Sequence, residues 1–138
     1  MENKQELTMR IQRTDNLNDI VFDDIEGPGN GRHHYQVFKK DATDTVASPL
    51  LDIHFQCGAR NEEGSISGVL DQDLLEIVRH RLQCFQKGEF PSRESACALT
   101  HIEEALMWLN KRKEDRKERG VLGKNLKRGR LYGERSKV

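Results

Sequence analysis

The sequence 71-DQDLLEIVRHRLQCFQKG-88 has the hydrophobic period of an amphipathic helix. Its apolar side chains recur at steps of four, four and three residues, at Leu74, Val78, Leu82 and Phe85. Steps of this size place side chains on one face of a helix.

The predicted ends of this helix are marked by polar residues and a glycine. Asp73 and Glu76 suit a capping pair near the start, and Gly88 is a residue that commonly follows a helix end. The segment therefore predicts a helix from about Asp71 to the residues before Gly88.

A second helix is predicted by the sequence 92-SRESACALTHIEEALMWLNKR-112. Ser92 is of a residue type that caps helix N-termini. The predicted buried stripe consists of Leu99, Ile102, Leu106 and Leu109. A charged run over 111–119 continues the helix until Gly120. Because a turn of only four to five residues joins the two helices, we expect them to pack as an antiparallel hairpin.

Upstream of the hairpin the hydrophobic period changes to that of β-strands. Residues 34–39 alternate polar and apolar side chains, and residues 50–57 predict a second strand. One face of that second strand carries Leu51, Ile53, Phe55 and Cys57. Residues 58–68, with three glycines, predict a turn or a third short strand, whereas residues 1–31 are polar and poorly periodic, with an apolar patch at 20–22. We expect a small antiparallel sheet.

These patterns together predict an α+β protein in which a small N-terminal antiparallel sheet precedes a C-terminal antiparallel helical hairpin. A chain of 138 residues has room for one domain. Within a single domain over 1–138, the sheet occupies about 20–70, the hairpin 71–120 and a basic tail 121–138. Only 35% of residues are apolar and 33% are charged. Such a thin core favours burial through oligomerisation.

The net charge of zero conceals an asymmetry between the two ends of the chain. Residues 1–110 contain 11 Lys and Arg against 19 Asp and Glu, whereas residues 111–138 contain 12 against 4. A basic end favours an anionic partner, which is a nucleic acid, a nucleotide or the acidic body of a neighbouring subunit. A solvated, disordered tail over 120–138 is the simpler alternative.

Several classes of protein are not favoured by this sequence. No segment approaches the roughly 18 apolar residues of a membrane span, and residues 1–12 lack the apolar centre of a signal peptide. Three widely spaced cysteines are typical of a reduced, intracellular protein. His33 and His34 are adjacent, so on a strand they point to opposite faces and do not bind one metal together. We expect no catalytic centre, no cofactor and no metal.

An arginine-rich face on the second helix is the stronger candidate for a binding site. Counting back from the helix end, its members are Arg119, Arg116, Arg112, Trp108 and Ala105. Arginines one turn apart form a fork for phosphate groups, because a guanidinium donates paired hydrogen bonds to phosphate oxygens. The alternative is a salt-bridged surface helix, since Glu114 and Glu118 can pair with nearby arginines.

The predicted hairpin tip supplies a second candidate. Phe85 ends the first helix and Ser95 begins the second, so the turn brings them near each other. An aromatic ring there can stack on a purine, and Ser95 or the helix N-terminus can donate to a base edge or a phosphate. The alternative is that Phe85 completes the apolar stripe of its own helix.

Several segments of the chain resemble a known family. They include IVRHRLQCFQ at 77–86 and IEEALMWLNKR at 102–112, with shorter matches at 93–96, 115–116, 119–121, 32–35, 53–58 and 64–69. These segments resemble the phage Thoeris anti-defence nucleotide sponges of the first type. The anti-CBASS cyclic-oligonucleotide sponges share the hairpin more loosely. The resemblance extends over about residues 27–121.

The resemblance implies a protein that is not an enzyme. Proteins of this family bind the cyclic ADP-ribose isomer (gcADPR) made by the TIR proteins of Thoeris immunity, and they hold it away from its effector. The ligand lies between subunits, and some members also bind CBASS cyclic di- and trinucleotides in a hexamer. This chain is then expected to form a homodimer or hexamer in the cytoplasm of the infected bacterial host. A nucleic-acid-binding protein that uses the basic tail is the alternative.

The resemblance also implies roles for individual residues. Phe85 matches the base-stacking aromatic residue, while Arg112 and Arg116 match the arginines that bind phosphate. Weaker matches to basic residues of the sheet part are Arg32 and Arg60. Ser95 stands where the family often has Asn, and its shorter hydroxyl reaches less far toward a base.

Overall fold

A four-stranded sheet is followed along the chain by two helices. This computed structural model describes residues 4–12, 17–23, 25, 27, 30–40 and 48–118. The contacts divide the chain into two compact units, Met1–Val69 and Leu70–Val138. The first unit contains the sheet and the second contains the helical hairpin, which confirms the α+β prediction. A single domain over the whole chain stays a prediction, and the basic tail lies outside the described residues.

The sheet is an antiparallel meander in the order β1-β2-β3-β4. Its strands are β1 (Lys4–Glu6), β2 (Asn18–Asp23), β3 (His34–Lys39) and β4 (Leu51–His54). Strand β3 has the predicted bounds. The strand predicted over 50–57 is shorter, because the chain beyond His54 forms isolated bridges at Phe55 and Cys57.

Two strands appear in a region whose sequence is poorly periodic. The apolar patch at 20–22 lies in β2, and all six residues of this strand are half-buried. Ile20 pairs with Val37 of β3, and Phe22 pairs with Tyr35. The neighbouring strand supplies this burial, so a local sequence pattern does not reveal it.

One face of the sheet is mainly apolar and the other is mainly polar. Side chains alternate along a strand, so the register determines which of them share a face. The apolar face carries Ile20, Phe22, Tyr35, Val37, Leu51 and Ile53. On this face the Tyr35 ring lies 6.0 Å from the Phe22 ring and 5.6 Å from the Phe55 ring, between centroids. The opposite face carries Asp23, His34, Gln36, Asp52 and His54, together with the apolar side chains of Val21 and Phe38.

The segment 58–68 is a turn. Gly58 and Gly64 have φ angles of 79° and 81°, in the left-handed region that glycine enters without steric cost. Gly68 approaches the carbonyl oxygen of His54 so closely that a Cβ atom there collides with it. The glycines of this segment are therefore required by backbone geometry.

The hairpin consists of α1 (Asp71–Gln86) and α2 (Arg93–Glu118). Leu106, in the predicted stripe of α2, is only 7% exposed. Arg79 of α1 donates from Nε to Oε2 of Glu103 in α2 at 3.0 Å, and this carboxylate raises the pKa of Arg79. Six residues, Lys87 to Ser92, connect the helices, so the connection is slightly longer than expected. No helix in the described residues is long and apolar enough to cross a membrane.

The start of each helix is fixed by one side chain. At α1 the Asp73 carboxylate accepts a hydrogen bond from the backbone N–H of Leu70 at 2.8 Å, so its partner is the backbone and not Glu76. At α2 the hydroxyl of Ser92 accepts from the backbone N–H of Ser95 at 3.0 Å. The predicted cap at Ser92 is confirmed.

Removal of the Ser92 cap is expected to destabilise the hairpin. Ser92→Ala leaves the Ser95 N–H without its acceptor, at a cost of about 1 kcal/mol in the free energy of unfolding. Thr100→Ala is the matched control, because the Thr100 hydroxyl bonds back to the Ala96 carbonyl inside the helix, where alanine is the better helix former. Urea unfolding followed by circular dichroism measures both. Equal effects of the two substitutions would contradict the capping role.

Candidate functional site

Phe85 lies in the last turn of α1, where 52% of its surface is exposed. The guanidinium carbon of Arg81, one turn earlier, lies 5.0 Å from the centre of the ring, a cation–π distance. Val78 of the same apolar stripe is 43% exposed, so exposure alone does not separate Phe85 from the other stripe residues. Phe85 is therefore half exposed at the hairpin tip, and its role in binding stays a prediction.

The turn beside Phe85 is held by hydrogen bonds between side chains and backbone. The Ser92 N–H donates to Oε1 of Gln86 at 3.1 Å, across the connection. Ser95 occupies the third position of α2 and is half-buried. Helix geometry leaves the N–H groups of Arg93 and Glu94 without intrahelical acceptors. These N–H groups and the Ser95 hydroxyl are the donors that the tip offers to a ligand.

The arginine-rich face lies toward the other end of α2. Arg112 is exposed, Arg116 is half-buried, and Trp108 is 74% exposed. Nζ of Lys111 lies 3.8 Å from Oδ1 of Asp115, an ion pair that involves neither Glu114 nor Glu118, so the pairing of those two residues with arginines stays an alternative. The predicted member Arg119 lies outside the described residues.

The two candidate half-sites are far apart within one chain. Helix α2 is continuous over 26 residues. At 1.5 Å per residue, Ser95 and Arg112 are about 25 Å apart along its axis. A small ligand at the tip of one chain therefore does not reach the arginines of that same chain.

The two weaker candidates lie in the sheet unit. Arg60 donates from Nε to Oε1 of Gln56 and from a terminal nitrogen to the Gly68 carbonyl, both at 3.3 Å. Its guanidinium is thereby tied to the 58–68 turn. Arg32 is half-buried just before β3. Their roles in binding stay predictions.

A polar cluster on the sheet is absent from the sequence-based candidates. His34 lies between two carboxylates, with Nδ1 3.2 Å from Oδ2 of Asp23 and Nε2 2.6 Å from Oδ1 of Asp52. Its ring stacks on that of His54 with centroids 4.0 Å apart. The hydrogen bond from His34 holds the pKa of the Asp52 carboxyl below its usual value. The cross-strand pairing of His34 with His54 creates this cluster, and the sequence alone gives no sign of that register.

Comparison with known proteins identifies the family of this chain. The hairpin-domain model of Acb2/Tad1 matches residues 48–114, which include α1, the connection and most of α2. A similar protein, "Thoeris anti-defense 1" of Bacillus phage SBSphiJ7, is 46% identical over 95 residues. The chain belongs to the Acb2/Tad1 family.

The match to the Acb2/Tad1 hairpin covers both ends of the candidate site. Phe85, Ser95 and Arg112 all lie within residues 48–114, whereas Arg32 and Arg116 lie outside them. The similarity to the Bacillus phage protein covers 69% of this chain. The chain spans 63% of the length of that relative in the match. The family resemblance inferred from the sequence is therefore confirmed.

Proposed function

We propose that this protein is a phage anti-defence protein that binds and sequesters the cyclic ADP-ribose isomer of Thoeris immunity without cleaving it. The observation that carries the proposal is the half-exposed Phe85 ring at the tip of an Acb2/Tad1 hairpin. The name of the Bacillus phage relative supports an anti-defence role. The site of action is the cytoplasm of the infected host, where the signal is made.

The chemistry of the tip suits a nucleotide. An exposed aromatic ring stacks on a base, and the adjacent Arg81 already provides a cation over that ring. The first-turn N–H groups of α2 lie at the positive end of the helix dipole, and this end favours an anionic group. Ser95 assists as a hydroxyl donor to the base edge or the phosphate.

The phosphates are bound by a second subunit. Because Arg112 lies about 25 Å from Ser95 along α2, its guanidinium reaches the ligand only from another chain packed antiparallel to the first. Large apolar side chains on the hairpin are available for such packing, since Ile77 and Met107 are each 64% exposed. The functional unit is a homodimer or a hexamer, with Arg112 and Arg116 of one subunit facing Phe85 of the next.

Two other ligands are tested beside the Thoeris signal. CBASS cyclic di- and trinucleotides carry the same base and phosphate groups, so the tip and the arginines suit them as well. A nucleic acid bound by the basic C-terminal residues is the alternative from a different class. Its affinity falls steeply with salt, because each phosphate contact releases counterions. Calorimetric titration of these ligands at low and high salt separates the three.

Sequestration predicts that the ligand is released unchanged. The protein is incubated with gcADPR, freed of unbound ligand and heat-denatured, and the supernatant is analysed by mass spectrometry and by effector activation. We expect intact gcADPR, at no more than one molecule per site, because none of the candidate residues is placed to activate water. A linear or dephosphorylated product, formed beyond one molecule per site, would identify a hydrolase instead.

A further inference from the structure

We propose that the polar face of the sheet carries a binding site for a divalent transition-metal ion of the zinc class. The ligands are Nε2 of His34, Nε2 of His54 and Oδ1 of Asp52, and one ligand atom from each of these three residues lies within 4.8 Å of the other two. We refer to these three residues together with Asp23 as the His34 cluster. The site lies in the sheet unit, outside the hairpin.

The distances suit tetrahedral coordination. Ligand atoms about 2.0–2.2 Å from a zinc ion lie about 3.3–3.5 Å from one another. Nε2 of His54 lies 3.6 Å from Oδ1 of Asp52, which is close to this value. Nε2 of His34 lies 2.6 Å from the same oxygen. An outward shift of less than about 1 Å opens that contact to the tetrahedral distance, and the 45% exposed Asp52 side chain has room to make it. The His34 and His54 rings stack at an interplanar angle of 16°, so the 60% exposed His54 ring also has to turn before both Nε2 lone pairs point at one ion.

The two carboxylates on either side of His34 give the cluster a negative charge that favours a cation. Nδ1 of His34 lies 3.2 Å from Oδ2 of Asp23, in position to donate a hydrogen bond to that carboxylate. In the metal-free protein the Nε2–H group donates to the Asp52 oxygen at 2.6 Å. A metal ion takes the place of this Nε2 proton when the two atoms move apart to the distance of metal ligands. A histidine that donates to a carboxylate from one nitrogen and binds a metal through the other is a common arrangement in metal sites.

The burial of the cluster fits an ion that enters from solvent. His34 and Asp23 form the inner part, with side chains 17% and 22% exposed. His54 is 60% exposed and forms the outer edge. Three protein ligands with an open side leave a coordination position for water. Two imidazoles and one carboxylate favour zinc, cobalt, nickel or copper over magnesium or calcium.

A metal at this place links three strands. Asp23 belongs to β2, His34 to β3, and Asp52 and His54 to β4. Because the ion binds the folded sheet and the unfolded chain lacks the site, it stabilises the sheet unit by mass action. At about a hundredfold excess of metal over Kd, we expect the melting temperature to rise by at least about 5 °C.

The test is calorimetric titration of tag-free, chelator-treated protein with ZnCl2. Titration with MgCl2 is the negative control. We expect one zinc ion per chain and micromolar or tighter affinity, with no heat from magnesium. His54→Ala should weaken zinc binding by at least about tenfold, and Asp23→Asn should weaken it by about tenfold through the orientation of His34. His101→Ala is the matched control, because that helical histidine contacts a single carboxylate, of Glu104, at 3.6 Å.

Two outcomes would overturn the proposal. Absence of zinc binding by the folded protein would show that a proton alone bridges His34 and Asp52. Zinc binding that survives His54→Ala but is lost in His101→Ala would place the ion elsewhere. Circular dichroism of each variant confirms that the sheet is intact, and the exposure of His54 makes unfolding by its replacement unexpected. Since the titrations contain no nucleotide, their result is independent of the proposed sponge function.

Discussion

Phe85→Ala is expected to abolish protection of the signal while leaving the hairpin folded. The stacking of a base on an aromatic ring contributes about 1–3 kcal/mol, which corresponds to a loss of up to about a hundredfold in affinity. A protein that captures a scarce signal does not tolerate such a loss. Because the ring is 52% exposed, its removal opens no large core cavity. Titration with gcADPR and an effector-activation assay measure the two consequences.

The control for this substitution is Phe90→Ala. Phe90 lies in the connection between the helices and is 87% exposed. It has the same side chain and lies in the same turn region, but outside the last turn of α1 that carries Phe85. We expect its variant to bind as the wild type does. Equal affinity of the Phe85 variant and the wild type would indicate that Phe85 only completes the apolar stripe of α1.

Arg112→Ala is expected to weaken ligand binding by about ten- to a hundredfold, and Arg116→Ala by a similar factor. A charge-assisted hydrogen-bond pair from a guanidinium to a phosphate contributes about 1.5–3 kcal/mol. Lys113→Ala is the matched control for Arg112, since it removes the same charge from the adjacent, exposed position, which points about 100° away around the helix. Unchanged affinity in both arginine variants would identify the face as solvated surface charge.

Mixed oligomers test whether the site is shared between chains. Co-expression of Phe85→Ala and Arg112→Ala subunits produces heterodimers in which one site has both substitutions and the other has neither. Ligand binding should therefore reappear at about half of the sites in such heterodimers, although each variant alone binds weakly. A site contained in one chain would show no recovery. Light scattering of the wild type should give a dimer or a multiple of it, and a monomer that binds gcADPR would also contradict the shared site.

The hairpin and β3 could be predicted because the sequence pattern that specifies each of them lies within the element itself. The stripe of α2 has the helical period and contains the buried Leu106, and Ser92 caps the helix as its residue type suggests. Strand β2 could not be predicted in the same way. Its burial depends on pairing with β3, and Val21 interrupts the alternation of Ile20 and Phe22 with another apolar residue. Nonlocal contacts, not propensity, determine that strand.

The candidate binding residues show the same difference between local and nonlocal information. Phe85 and Arg112 could be chosen as candidates because helical spacing predicts which side chains share a face. The His34 cluster was not found, because spacing rules for metal sites consider ligands on one short segment. Here 19 positions separate His34 from His54, and only the register of β3 and β4 brings their rings to 4.0 Å. The expectation of no metal was therefore reached without the information that His34 pairs with His54 across the two strands.

The continuity of α2 has a consequence for how this protein can change over time. Sixteen residues lie between Ser95 and Arg112 in an unbroken helix. Inserting or deleting one residue there shifts Arg112 by about 1.5 Å and turns it by about 100°. Point substitutions on the exposed surface leave both quantities unchanged. With the proposed shared site, descendants of this gene can therefore vary widely in composition along α2, whereas a change in its length requires a matching shift of the second subunit.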